Sequence, residues 1–193
     1  MKRLSLALAV FFCVSSARIV NAEASELKTV PARTLTLKVP ATWKQKESTS
    51  SMRAAEFLIP GKPADAELVV FYFGGPTGGV KANIDRWIGQ FKKDGLKLAM
   101  LQGKCQAGSY ILVDCQGTWN KPDGPPFASK TVPTPNSRVL NVIVVEEMGD
   151  EKDYYFMKLS GHEDVVGDQV DALREAIGAD IKSEKKFDLE SAE

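Results

Sequence analysis

The sequence predicts an α+β domain: a mainly antiparallel β-sheet of about six to seven strands with two amphipathic helices packed on it. Three observations carry this. Alternating or wholly apolar stretches of strand length recur along the chain, only two segments repeat apolar residues at helical spacing, and the order of the two kinds shows no regular βαβ alternation. The 193 residues, 44% hydrophobic and with 25 basic against 25 acidic groups, fit one globular domain.

The chain opens with Lys2 and Arg3, an apolar run from Leu4 to Val14, and a polar stretch ending Val20-Asn21-Ala22. That order of basic, apolar and small-residue segments is a secretory signal peptide covering residues 1–22, with cleavage after Ala22 as first choice and Ala24 as second. The run is too short to span a bilayer, which takes about 20 residues. Cys13 follows Phe11 and Phe12 rather than small residues, which argues against a lipid anchor. Cleavage would remove Lys2, Arg3 and Arg18, tipping the product slightly acidic and placing it in the periplasm or outside the cell. Residues 23–33 then read as a lead-in, 34–181 as the domain, and 182–193 as a charged tail that frays.

Within the domain, Leu35, Leu37 and Val39 alternate and stop at Pro40, a half-buried strand. A second strand covers Met52 to Ile59, ending at Pro60-Gly61. Glu67 to Phe73 is apolar on both faces, so it belongs in the middle of the sheet. After Gly74-Gly75-Pro76-Thr77-Gly78-Gly79, the residues Val80, Ile84, Trp87, Ile88 and Phe91 recur at helical spacing up to Asp94-Gly95. Leu96 to Gln102 and Tyr110 to Trp119 form two strands around a turn at Ala107-Gly108-Ser109. Five of the ten prolines fall between Pro122 and Pro135, a segment expected to form a long irregular loop. Strands resume over Arg138 to Glu146 and Asp153 to Leu159. A second helix carries Val165, Val166, Val170, Leu173 and Ile177 behind a capping box of Ser160 and Glu163, and ends at Gly178.

Several landmarks taken together resemble a group of secreted bacterial proteins of planctomycete type with a PsbP-like order of elements. They are Val39-Pro40 with Trp43, Met52-Arg53, Phe71-Tyr72-Phe73-Gly74, Asn83 with Arg86-Trp87 and Phe91, Gly117-Thr118-Trp119, Arg138, and Tyr155-Phe156 through Lys158-Leu159-Ser160-Gly161. The resemblance covers roughly residues 35–177. It implies the architecture and an accessory, protein-supporting role, and no activity.

Composition narrows the chemistry further. A balanced charge does not suit a protein that neutralises phosphates, so no nucleic-acid partner is expected. A single histidine, His162, next to Glu163 and Asp164, supplies neither a metal site nor a histidine-based nucleophile system and reads as a helix-start residue. The glycine-rich loop matches neither the Walker pattern nor G-x-G-x-x-G, although its backbone amides could hold an anion. Asp164, Asp168, Asp171 and Glu175 form a solvated acidic stripe on one helix face, and Trp43, Trp87 and Trp119 belong to the core. Arg53, Arg86 and Arg138 adjoin buried positions, where they hydrogen-bond loop carbonyls or read an acidic ligand.

Cys105 and Cys115 remain after cleavage, and an exported protein invites a disulfide between them. A turn at Ala107-Gly108 sets them roughly 15 Å or more apart, beyond bonding reach. Either the hairpin register differs or both thiols are free and buried.

The leading expectation is therefore a non-catalytic exported domain that binds a protein or small ligand through its glycine- and proline-rich loops. Its candidate contact residues are Arg53, Gly75, Thr77, Gly78, Arg86, Phe127 and Arg138. No metal, cofactor or membrane span is expected. The alternatives are a hydrolase-type enzyme of carboxylate or serine chemistry and a weak anion- or metal-binding protein. Two converging carboxylates in a pocket would favour the enzyme.

Overall fold

The structure is a computed structural model and describes residues 26–48, 50–74, 78–124 and 130–191. Among these the chain runs β1 (Leu27–Ala32), β2 (Leu35–Pro40), β3 (Lys44–Gln45), β4 (Arg53–Ile59), β5 (Ala66–Tyr72), α1 (Val80–Gly89), β6 (Lys97–Cys105), β7 (Gly108–Pro122), β8 (Thr131–Met148), β9 (Glu151–His162), α2 (Glu163–Gly167), α3 (Val170–Ala176) and β10 (Asp180–Lys186), followed by a 3₁₀ turn. The signal-peptide residues, Gly75 and Thr77 of the glycine-rich loop, and Phe127 lie outside the described residues.

The main sheet has eight strands in the order β10-β6-β7-β8-β9-β5-β4-β3, every neighbouring pair antiparallel, and β1 with β2 forms a separate hairpin. Four successive antiparallel pairings separate β5 from β6, so these two strands are parallel, and α1 joins them by crossing the sheet. The class is α+β as expected, but among the described residues the main sheet has eight strands rather than six or seven, with two more in the hairpin.

Each face of the sheet has its own core. On one, the β1–β2 hairpin brings Val30, Ala32, Leu35, Leu37 and Val39 down with Trp43, and α2 and α3 add Val165, Val166 and Leu173. They pack over Leu68, Val70, Leu140, Val142, Met157 and Leu159. On the other, α1 seats Ile84 and Trp87 beside Val113, Cys115, Val139, Ile143 and Phe156. Both faces of the central strands are covered, which is why they read as near-continuous apolar runs.

Four sequence expectations need correction. The lead-in over residues 23–33 contains β1, whose Val30 and Ala32 face the core while Pro31 takes a position on this small two-stranded unit. The tail does not fray at residue 182. Instead β10 pairs with β6, Phe187 is buried, and Glu184 accepts hydrogen bonds from Arg174 (Nε, 2.6 Å; Nη2, 3.1 Å) and the Tyr110 hydroxyl (2.5 Å).

The proline-rich segment is also more regular than expected, because β8 already begins at Thr131 and pairs with β7 through Pro122↔Thr131 and Asn120↔Pro133. β9 joins β8 only from Ser137 onward, so this end of the β7–β8 ribbon has a free edge where the missing proline N–H costs no ladder bond. Finally, the second helix breaks in two. Gly167 ends α2, and Gln169 turns to accept a hydrogen bond from Trp43 Nε1 at 3.0 Å before α3 starts.

The β6–β7 turn is Gln106-Ala107, closed by the pair Cys105↔Gly108. Gly108 is required there: φ is 151° and an added Cβ would lie 2.5 Å from the Val145 carbonyl oxygen. Cys115 pairs with Leu98, seven residues further along β7 from Gly108, roughly 23 Å at ~3.3 Å per residue. The odd separation also sends the two side chains to opposite faces. Both thiols are free, so the disulfide is excluded.

Candidate functional site

Register places Val69, Lys158, Asn141 and Val113 side by side across β5, β9, β8 and β7, on the face that α1 covers. Two residues along the same strands stand Phe71, Phe156, Ile143 and Ile111. An apolar sheet face is thus interrupted by one ammonium and one amide at its centre.

The helix does not fill the space above them. Phe71, Phe73, Phe156 and Trp87 wall a cavity of about 330 Å³ that Asn83 and Arg86 of α1 and Asn141 and Lys158 of the sheet also line. The rings brace one another, Phe73 against Phe156 at 5.8 Å and Trp87 edge-on to Phe156 at 6.4 Å between centroids. Phe73 is 43% exposed and stands at the mouth.

The C-terminal end of α1 is tied to the sheet. Trp119, at the β7 bulge, forms an isolated bridge with Phe91, and its Nε1 donates to Gln90 Oε1 at 3.2 Å. Its ring in turn carries the Lys158 ammonium, whose Nζ lies 4.4 Å from the centroid.

Lys158 has no carboxylate partner among the described residues. Burial pushes its amine down to about 8, the positive charges of Arg86 and Lys121 push the same way, and Glu67 opposes them. Glu56, in line with Val69 one strand further out, is already taken up by Lys46 (2.7 Å) and Arg53 (2.6 Å). Asn141 is 2% exposed, and its Oδ1 has no hydrogen-bond partner among the described residues. A buried amide oxygen without a donor costs about 1–3 kcal/mol, so such groups normally face a partner. Lys158 and Asn141 therefore stand side by side in the lining of one cavity, the first a cationic donor and the second carrying a buried, unmet acceptor.

The residues expected from the sequence to make contacts separate in space. Arg86 lines the cavity and donates to Asn83 Oδ1 at 2.5 Å. Arg53 lies just outside it, its guanidinium 5.8 Å from the Phe71 ring centroid. Gly78 is near the start of α1, where an added Cβ would come 3.7 Å from Asn83 Nδ2. Arg138 is elsewhere: on the opposite face it grips Asp114 through two hydrogen bonds, Nε at 3.0 Å and Nη2 at 2.6 Å, and this pair buttresses α2. Arg138 is thus held in an ion pair with Asp114 and does not line this cavity.

His162 caps α2 by accepting from the Asp164 amide. Trp43, Trp87 and Trp119 are all buried, with Trp87 also serving as a wall of the cavity. Neither Lys158 nor Asn141 was among the expected site residues. Their signal was a single polar residue inside the apolar runs Tyr155–Leu159 and Val139–Val144, and only the strand register shows that the two meet.

Fold and site together define an α+β domain with a helix-roofed, aromatic-walled cavity lined by Arg86 and by Lys158, the latter without a carboxylate partner among the described residues. The chain matches no family model and no curated protein. Among the described residues no helix is long and apolar enough to cross a membrane, and no three His, Cys, Asp or Glu side chains gather as a metal-binding group.

Proposed function

We propose that the protein is an exported, non-catalytic binding domain whose ligand is a small amphipathic carboxylate held in the cavity beneath α1. In this reading residues 1–22 are a cleaved signal peptide, and the domain is a PsbP-like relative that uses its α1 face for a ligand. The observation that carries the proposal is the juxtaposition, in one cavity, of Lys158 and Asn141 Oδ1, which among the described residues have no counter-ion and no donor respectively. A carboxylate would accept from Lys158 and Arg86, a hydroxyl or amide N–H on the same molecule would satisfy Asn141, and an aromatic or aliphatic body would fill the ring-lined space. The cavity size suits a molecule of one ring with a short side chain. Its lining includes no acidic and no serine side chain among the described residues, so nothing there favours a hydrolase.

Calorimetric titration with 3-phenylpropanoate, 3-phenyllactate and decanoate tests this at neutral pH. Binding should weaken at least tenfold in Lys158→Met, since a hydrogen bond to a charged group contributes about 1.5–3 kcal/mol. The hydroxy acid should bind tighter than its deoxy analogue, and Asn141→Leu should remove that preference. No heat from any of the three acids at millimolar concentration, or equal affinity in Lys158→Met, would overturn the proposal.

A further inference from the structure

The cavity poses a chemical question that anion binding leaves open, because an arginine would hold a carboxylate better than a lysine does. Guanidinium remains charged whatever its surroundings, whereas an amine placed among aromatic rings beside a second cation loses its proton readily. Lys158 occupies such a place. Phe71, Phe73, Phe156 and Trp87 wall its cavity with apolar rings, Arg86 acts on it from α1, and Lys121 adds positive charge from β7. Glu67 of β5 is the acidic group that acts on it, and Glu56 of β4 is neutralised by Lys46 and Arg53.

We infer that Lys158 captures small aldehydes or ketones as a reversible imine, with Asn141 Oδ1 accepting a hydrogen bond from the hydroxyl of the carbinolamine on the way. The inference rests on the proposed binding role of the cavity and names a second ligand chemistry for it. In the first step the unprotonated Nζ adds to the carbonyl carbon, and one proton passes from Nζ to the carbonyl oxygen to give the neutral carbinolamine. In the second the carbon–oxygen bond breaks, water leaves with the remaining N–H proton, and the carbon–nitrogen double bond forms. One amine and one carbonyl give one imine and one water, with no oxidant or reductant.

The unprotonated amine becomes abundant near pH 8, where an ordinary surface lysine is still almost wholly protonated. Burial away from bulk water favours the dehydrated product. Asn141 Oδ1, an acceptor one strand away on β8, suits the hydroxyl that exists only in the intermediate.

The test uses the full chain with phenylacetaldehyde and sodium cyanoborohydride, which reduces an imine to a stable secondary amine that peptide mass mapping can locate. Lys158 should be labelled at least tenfold faster than the median of the other lysines, with a rate that levels off above about pH 8, and 3-phenylpropanoate should protect it. Asn141→Leu, which leaves the amine in place, should slow labelling at Lys158 alone while its urea midpoint shows a folded protein. Labelling of Lys158 no faster than surface lysines would overturn the inference; if the carboxylates still bind in calorimetry, the binding role survives without it. Rapid labelling that 3-phenylpropanoate does not prevent, with no carboxylate heat, would instead support capture and remove the carboxylate reading.

Discussion

Replacing Lys158 with methionine should stabilise the protein while removing its site. In the folded chain the amine gives up its proton near pH 8, against an ordinary value of 10.5. Between these values the unfolded chain holds a proton that the folded chain has lost, so stability rises with pH through the window and the full penalty applies below it. A displacement of that size corresponds to roughly 3 kcal/mol. The open side of the cleft and the Trp119 ring beneath the ammonium reduce it to about 1–3 kcal/mol. Methionine retains the aliphatic contacts of the lysine stem and carries no charge to desolvate.

Urea unfolding of both proteins, at neutral pH and again near pH 10.5, isolates this group because all other titrations cancel in the difference. Lys158→Met should be the more stable at neutral pH by about 1–3 kcal/mol, and the gap should close toward the alkaline end. A gap that does not change with pH, or a methionine variant less stable at neutral pH, would show that the ammonium is well solvated or paired in the native state and would refute the reasoning.

Glu184→Ala should cost about 3–5 kcal/mol, because it leaves the Arg174 guanidinium and the Tyr110 hydroxyl without their acceptor; Glu184→Leu combined with Arg174→Met should recover much of that loss in denaturant titrations. Burial pushes the carboxyls of Glu184 and Glu56 up, but hydrogen bonds from Arg174 and Tyr110, and from Lys46 and Arg53, outweigh it and hold both below their ordinary value. Their contribution is therefore present above pH 4.5 and lost as pH falls through the lower folded values, so Glu184→Gln and Glu56→Gln should each flatten the acid limb of the stability curve. Gly108→Ala should destabilise by about 1–3 kcal/mol, measured by thermal melts, since its Cβ would meet the Val145 carbonyl. Native thiol labelling should be slow at Cys115, which is fully buried with its thiol pushed up to about 12, and faster at the partly exposed Cys105; equal rates would contradict the packing.

What the sequence revealed depended on whether the physics was local. Leu35-Thr36-Leu37-Lys38-Val39 and the Val69–Tyr72 run state their own structure, and Ile84 and Trp87 fall on α1 as their spacing predicts, but α1 stops at Gly89, so Phe91 lies beyond the helix and bridges to Trp119 instead. β10 was missed because Asp180–Lys186 is mostly charged. It is an edge strand held by Phe187 and the Glu184 cluster, whose partners lie far away in sequence. The proline segment was misjudged because proline opposes a ladder only where a neighbour needs its N–H, and neighbours are a property of topology. The site shows the same division. Arg86 beside Trp87 was visible as a polar residue at a helix edge, but Lys158 and Asn141 become a pair only through the β8–β9 register. Arg138 looked equivalent to Arg86 until the strand pleat put it on the other face.

The cavity also lies on a seam in the assembly of the sheet. Phe71 comes from β5 and Phe73 from just past its end, whereas Asn141, Phe156 and Lys158 come from the late meander of β6 to β9. The two parts meet along β5 and β9, where Glu67 pairs with Ser160 and Tyr72 with Tyr155. Such distant pairings form late, after the loop-closure entropy has been overcome. A molecule seated in the cavity touches both sides of the seam, so it acts as a fastener between two halves of the chain. Cutting the chain in the α1–β6 connection would accordingly give fragments that each lack the site, and whose reassociation the ligand should strengthen.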